Sequence, residues 1–344
     1  MTVALDVGAH RIRSLRRDED RLLALSCRAL YAVLPDSASQ RDLLEQARIS
    51  YAVCEEDLVL MGDGAEEFAR LFHAPTAPLF PDGRVPAGDP PARQIVAAFV
   101  EALLPPSGSA ENVCCLTVPG GGSDAPGDDA EWQFLSRLVK LRGYTPVLLS
   151  SAMAVVLAEL ADRAFTGIAI DFGAAKTELA VAHCGVQLAR CGLARGGQWI
   201  DRELATRAER FAWDPAGNRY LDVEAVRRWK EQATLRPSAA AENGLLIELY
   251  EDLVNAALAE AARAFAGTLD CRRIPQPLPV VCSGGPARIP GFAPLLEQAW
   301  RRASIPVESD RIRIAAEDEY RTPRGCLIRA ELETQPDGIL SEVA

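Results

Sequence analysis

Three short segments, far apart in the chain, follow one plan: an apolar run with the character of a buried strand, ending in a turn that carries glycine. They are Val3-Ala4-Leu5-Asp6-Val7-Gly8-Ala9-His10-Arg11, Ile168-Ala169-Ile170-Asp171-Phe172-Gly173-Ala174-Ala175-Lys176-Thr177, and Val280-Val281-Cys282-Ser283-Gly284-Gly285-Pro286-Ala287-Arg288. The first two share an Asp-x-Gly turn, and their aspartates stand about 165 residues apart. Such turns expose backbone N–H groups, which is how a chain builds an anion cradle from main-chain donors. Two cradles of one type imply duplicated halves that face each other across a cleft, with a nucleotide between them.

The chain has 344 residues, enough for two domains with separate cores. A formal charge of −11 speaks against a nucleic-acid footprint. Its apolar runs fall far short of the roughly 20 residues that span a bilayer. The first residues carry neither the basic start nor the cleavage site of a secretory leader, so a cytoplasmic protein is expected. Nine cysteines without C-x-x-C spacing, Cys114, Cys115, Cys184 and Cys282 among them in apolar strand patterns, read as reduced, buried thiols. Three scattered histidines argue against a histidine metal site.

Along the chain, strands at 2–6, 11–15 and 22–27 form an opening meander, and 33–85 reads as irregular with short helices near 40–47 and 64–72. Asp89 caps a helix begun by Pro90-Pro91, whose stripe is Ile95, Val96, Phe99, Val100, Leu103 and Leu104. A strand at 112–118, a helix at 130–142, a strand at 146–149 and a helix at 151–160 complete the first half. The second half repeats the meander at 167–171, 177–183 and 186–193. Helices follow at 198–211, 222–235 and 242–267, then strand 279–283 and helix 291–303. Thr322 caps a last helix, 323–333. The class is α/β with two related lobes: 1–150, with a small insertion at 33–85 and the helix 323–333 returning to it, and 151–322, with a helical subdomain at 206–276.

These elements resemble the actin-like ATPase superfamily, in particular the bacterial actin MreB and the ATPase domain of the DnaK-type heat-shock chaperone. Cys115-Leu116-Thr117-Val118-Pro119 is similar to the Val-Pro strand end of both, and Leu138 to Leu160 to their connecting region. Arg195-Gly196-Gly197-Gln198-Trp199-Ile200-Asp201 resembles the Gly-Gly-x-x-Phe-Asp segment after the second phosphate loop, and Arg324-Gly325-Cys326 the glycine-bearing final helix. The resemblance implies a two-lobed fold of duplicated ribonuclease H-like domains that clamps ATP and Mg²⁺.

It also implies site residues. Asp6 and Asp171 would hold Mg²⁺, mostly through water, which suits a cation that keeps its hydration shell. Gly8, Ala9, His10 and Arg11, and Gly173, Ala174, Ala175, Lys176 and Thr177, would form the two phosphate loops. Gly196 and Gly197 follow the second loop. Gly284, Gly285 and Arg288 match the adenosine loop, with the planar guanidinium of Arg288 able to lie on the base. Glu178 completes a Thr-Glu pair. Lys230 and Glu231 lie on a helix that in the chaperones serves sugar and base, though a solvated helix face explains them as well.

The chain departs from the family where hydrolysis is concerned. Gly-Thr in the first loop is replaced by Ala9-His10, and Gly-Gly-Gly in the second by Gly173-Ala174-Ala175. Where the families place a water-orienting Glu, the chain has Ser150-Ser151-Ala152. Loss of that help costs a factor of about 10²–10⁴, so any ATPase is expected to be slow; Asp89 is a second acid in reach of that role, or simply a cap. The leading expectation is an actin-like ATP-binding protein of cytoskeletal, cell-shape type, acting through self-assembly or a protein partner. A scaffold that has lost its nucleotide is the alternative, and a small-molecule phosphotransferase of the same fold is a third.

Overall fold

The computed structural model describes residues 2–334 apart from 20, 73–74, 110, 121–129, 214–216, 238–240 and 269–272. The acidic stretch 335–344 therefore lies outside the described residues. In chain order the first elements are β1 (Val3–Val7), β2 (Arg11–Asp18) and β3 (Arg21–Arg28). Then come β4 (Leu30–Pro35), α1 (Ala38–Ala47), β5 (Tyr51–Cys54), β6 (Asp57–Met61), α2 (Gly62–Phe72) and β7 (Ala77–Pro78). The first half closes with α3 (Pro90–Leu103), β8 (Val113–Thr117), α4 (Ala130–Leu141), β9 (Thr145–Leu148) and α5 (Ser151–Glu159). The second half holds β10 (Gly167–Phe172), β11 (Thr177–His183), β12 (Val186–Leu193) and α6 (Gly197–Arg207), and next β13 (Phe211–Trp213), β14 (Arg219–Leu221), α7 (Val223–Gln232) and α8 (Ala241–Ala266). It ends with β15 (Leu278–Ser283), α9 (Phe292–Arg302), β16 (Ser309–Ile314) and α10 (Arg321–Thr334).

Two five-stranded sheets carry the duplication. Their orders, β3-β2-β1-β8-β9 and β12-β11-β10-β15-β16, are the same topology twice. In each the first strand is the central one: β1 pairs antiparallel with β2 and parallel with β8, and β10 pairs the same way with β11 and β15. Register repeats too, since Asp6 lies opposite Thr117 and Asp171 opposite Ser283. Both central strands are apolar because both faces are covered.

What joins the sheets is a pair of helices. Small and aliphatic side chains of α5 (Ala152, Ala154, Val155, Val156) and α10 (Cys326, Leu327, Ala330) share one core with Ala4 and Cys115 of the first sheet and Ala169, Ala180 and Val281 of the second. A larger core beneath the second sheet gathers α8, including Leu249, Tyr250, Leu253 and Phe265.

Four local expectations are corrected. The stretch read as irregular builds a four-stranded sheet, β5-β6-β4-β7, over Leu44, Leu58, Leu60 and Phe68; its strands are short and interrupted by Pro35 and the turn at Glu55, which hides their alternation. A short hairpin, β13–β14, and an edge strand, β16, were also not anticipated, and both are rich in charge or aromatic side chains rather than in periodic apolar ones. The last helix starts at Arg321, so Thr322 lies inside it, and Asp318 receives the Tyr320 N–H at 2.8 Å just ahead. Cys184 is exposed at a turn with φ +48°, not within a strand. Among the described residues no helix is long and apolar enough to cross a membrane.

Candidate functional site

Both Asp-x-Gly turns are hairpins at the ends of the central strands. In the first, Gly8 N–H donates to the Arg11 carbonyl at 3.1 Å; in the second, Gly173 N–H donates to the Lys176 carbonyl at 2.8 Å. A Cβ on either glycine would lie under 3 Å from those same oxygens, 2.6 and 2.8 Å, which is why both turns use glycine. Asp6 and Asp171 are near enough for the charge of one to raise the pKa of the other. The first is held by its own sheet: Oδ1 accepts the Thr117 hydroxyl at 2.8 Å and Oδ2 an Arg13 N–H at 3.3 Å.

The second carboxylate is less well served. Burial pushes Asp171 up to about 6; the Ser151 hydroxyl and Lys176 work against the shift, while Asp6 and Glu178 add to it. Glu178 is buried too, but Lys176, Ser151 and Arg190 outweigh that burial and hold it below the usual range. Ser151 donates both its hydroxyl (2.6 Å) and its N–H (2.8 Å) to Glu178 Oε2, while Lys176 Nζ sits 3.1 Å from Oε1. So the Ser151 hydroxyl is committed to a neighbouring carboxylate.

Lys176 also reaches across the cleft, donating to the Val118 carbonyl at 2.9 Å. Gln198 Nε2 does likewise to the Ala9 carbonyl at 3.2 Å. Ala174 and Ala175 pack on the core of the first sheet. Gly83, at φ +73°, accommodates Ala175: a Cβ there would fall 2.6 Å from the Ala175 Cβ. Gly196 lies under the second hairpin, where a Cβ would meet the Gly173 oxygen at 2.3 Å, and Gly197 N–H donates to that oxygen at 3.0 Å. Thr177 is buried with its hydroxyl on the Arg195 carbonyl.

Gly284, at φ +101°, is pressed against the end of β10; a Cβ would lie 1.9 Å from the Phe172 oxygen. Gly285 follows it and begins the short turn 286–288. Arg288 instead pairs with Glu317 at 3.1 Å on the surface. His10 and Arg11 turn away from the aspartates, to Arg28 and to Asp63 of α2. Asp89 is a cap, accepting Ala92 N–H at 2.9 Å. Lys230 is no solvated residue: it is buried, 2.7 Å from Asp201 and 3.0 Å from the Gly197 carbonyl. The signal was present in the spacing, since Lys230 follows the buried Val226 by one turn on the same face.

A cavity of about 600 Å³ opens beside the first hairpin. Its walls are Ala9, His10 and Arg28, with Glu66 of α2 and Glu224 and Arg227 of α7; Asp6, Asp171 and Gly284 are not among its lining. Glu224 and Arg227 have the i,i+3 spacing of a helical ion pair, but no spacing rule brings Arg28 and Glu66 to them.

The matched topology, the paired hairpins and the shared helices all describe one architecture. A family model described as Volactin matches residues 1–330. The chain belongs to the Volactin family. No curated protein sequence matches it significantly. Among solved structures it is similar to the MamK double helical filament, at 16% identity and TM-score 0.64, over 96% of this chain and 99% of that one. It is also similar to a non-polymerising mutant of MamK bound to AMPPNP, at 17% identity and TM-score 0.56, over 96% and 98%. This Volactin-family chain therefore has the two-lobed fold of the actin-like ATPase superfamily.

Whether the residues fit Mg²⁺ and a nucleotide depends on their donors. Among the described residues no three His, Cys, Asp or Glu side chains converge on one point to hold a bare metal. Two carboxylates close enough for the charge of Asp6 to raise the Asp171 pKa fit a hydrated divalent cation held through water. Lys176 fits a phosphate only if it leaves Val118, and the Ala174 and Ala175 methyls narrow the loop.

Proposed function

We propose that the protein is an actin-like, nucleotide-binding assembly protein, with Mg²⁺-ATP taken between the two hairpins and hydrolysed slowly or not at all. The observation that carries this reading is the meeting of Asp6 and Asp171 at matched positions of two matched sheets. Asp6 and Asp171 would hold the cation through water; the turns Gly8 to Arg11 and Gly173 to Thr177, closed by the N–H groups of Gly8 and Gly173 themselves, would offer other main-chain N–H groups to the phosphates; Gly284 and Gly285 would border the nucleoside. Bound nucleotide supplies the negative charge that Lys176 would turn to meet. Ser151, already bonded to Glu178, is a poor water-positioning group, in keeping with weak hydrolysis. The solved neighbours, a double helical filament and an AMPPNP complex, support assembly and nucleotide binding as properties of the fold's relatives. We keep 1–150 and 151–322 as the proposed lobe boundaries.

The test is calorimetric titration with Mg²⁺-ATP, paired with pelleting in its presence and absence. At a ligand concentration about 100 times Kd, stability should rise by about 2.7 kcal/mol. No heat and no shift would favour a second reading, a scaffold without nucleotide. That reading draws on the direct closure of the hairpins by Lys176 on Val118 and Ala175 on Gly83.

A further inference from the structure

On the outer side of the first hairpin the lobes meet through charge. Arg28, at the end of β3, has a side chain only 3% exposed. It pairs with Glu66 of α2 at 3.1 Å and with Glu224 of α7 at 3.6 Å. Its other partner is the His10 ring, at 2.6 Å. That ring is neutral, its pKa lowered to about 2 by burial and by the arginines around it, so it accepts rather than competes. Arg227, also on α7, pairs with the same two carboxylates, Glu66 at 2.9 Å and Glu224 at 2.8 Å. Arg28 and Glu66 come from the first-lobe side, Glu224 and Arg227 from the second. Each carboxylate thus holds one guanidinium of its own lobe and one of the other, in a ring of four. Arg202 of α6 and Asp82 add a second bridge at 2.7 Å.

With the lobes apart Arg28 would keep Glu66, and Arg227 would keep Glu224 and Glu231; what separation removes is the second carboxylate that helps to neutralise each largely buried guanidinium. Parting of the lobes would strip Arg28 of Glu224 and Arg227 of Glu66 at once. The two carboxylates are 32% and 41% exposed, so mobile ions reach the ring from solvent. Its strength must then depend on salt far more than the Lys176–Val118 hydrogen bond or the alanine packing at the hairpins.

We propose that Arg28, Glu66, Glu224 and Arg227 form an ionic latch that holds the two lobes closed in the absence of nucleotide, and that ionic strength opens it. None of the four latch residues is among the proposed nucleotide-binding groups, and the latch meets them only where Arg28 touches the His10 ring, so it is tested separately from that reading.

Small-angle scattering on the nucleotide-free full chain tests it. At about 0.1 M salt the radius of gyration should be near the roughly 20 Å of a compact chain of this length. It should increase at about 1 M salt, where the screening length drops from roughly 10 Å to roughly 3 Å. Glu66→Gln combined with Glu224→Gln removes both cross-lobe pairs and should already give the larger radius at low salt, with an unchanged far-UV spectrum. Should that variant fail to fold, the wild-type salt series decides alone. A wild-type radius unaltered by salt, or a folded Glu66→Gln/Glu224→Gln double variant as compact as the wild type, overturns the latch. The ATP titration above is read separately, and its failure leaves this outcome untouched.

Discussion

Gly325 of α10 crosses α5 so closely at Ala154 that a Cβ on the glycine would lie 1.9 Å from the Ala154 carbonyl oxygen. The two helices are the layer shared by both sheets, so this contact sets how near the lobes can come. Gly325→Ala should therefore cost about 3 kcal/mol or more, at or beyond the upper end of ordinary overpacking, because the obstacle is backbone and cannot rotate away. Gly244 is the control. It lies in α8 with nothing within 4 Å of a built Cβ. Gly244→Ala should stabilise by about 0.5–1 kcal/mol through helix propensity. Urea midpoints of the two variants moving the same way would contradict the packing described.

The contrast shows which parts of the fold the sequence disclosed. Strands β1, β10 and β15 were legible because burial on both faces leaves an unbroken apolar run before a glycine turn, and α3 because Asp89, Pro90 and Pro91 mark its start. Strands β5 and β16 were not, because short, largely exposed strands carry no clear period, and β6 was not because its buried run, Leu58 to Leu60, is only three residues long. Within the site, Asp6 and Asp171 could be found from their turns. The commitments of their neighbours could not: that Lys176 bonds Val118, that Lys230 pairs with Asp201, or that Arg28 meets Glu224 depends on contacts between residues 29 to 196 apart in sequence. No local pattern reports such contacts.

Arg288 illustrates the same point from the other side. Its place after Gly284-Gly285 suggested a guanidinium lying on the base, yet it is ion-paired to Glu317 at the surface. Exposed pairs of this kind contribute about 0–1 kcal/mol. Arg288→Ala should leave the melting temperature nearly unchanged and the ATP affinity within about twofold. A tenfold loss of affinity in titration calorimetry, about 1.4 kcal/mol, would show that the arginine leaves Glu317 for the ligand.

Ser151 is where the resemblance to actin-like ATPases would put a water-orienting acid, but Ser151→Glu alone should not bring about hydrolysis. It would set a third carboxylate against Glu178 and Asp171, in a buried place with Lys176 as the nearest cation. The single variant should be destabilised by about 1–3 kcal/mol, the usual cost of burying a poorly satisfied polar group. Ser151→Glu combined with Glu178→Ser transposes the acid and the hydroxyl and keeps the total charge. It should recover most of the lost stability, and any gain in phosphate release should appear there. Phosphate release by the single variant equal to that of the double would mean that Glu178 does not confine residue 151.

Asp171 gives the chain a pH dependence whose sign is fixed. Its pKa is raised from 3.8 to about 6, chiefly by burial. The unfolded carboxylate ionises near its ordinary value, so the folded state binds the proton more tightly. That contribution is complete below about pH 4, declines as pH rises through 6, and is absent above it. Its size is on the order of 2 kcal/mol, at about 1.4 kcal/mol per pKa unit with allowance for partial solvent access. Asp171→Asn removes the charge and keeps the shape. The variant should gain stability over the wild type above pH 6 and show no gain below pH 4. Magnesium should act on the same group: if the cation is held through water by Asp6 and Asp171, millimolar Mg²⁺ with nucleotide should offset the wild-type cost above pH 6 and leave the variant unaffected. Thermal melts across this range, with and without Mg²⁺-ATP, make the comparison. Equal slopes for wild type and variant would place the titrating proton elsewhere, and an equal magnesium response in both would remove Asp171 from the cation site.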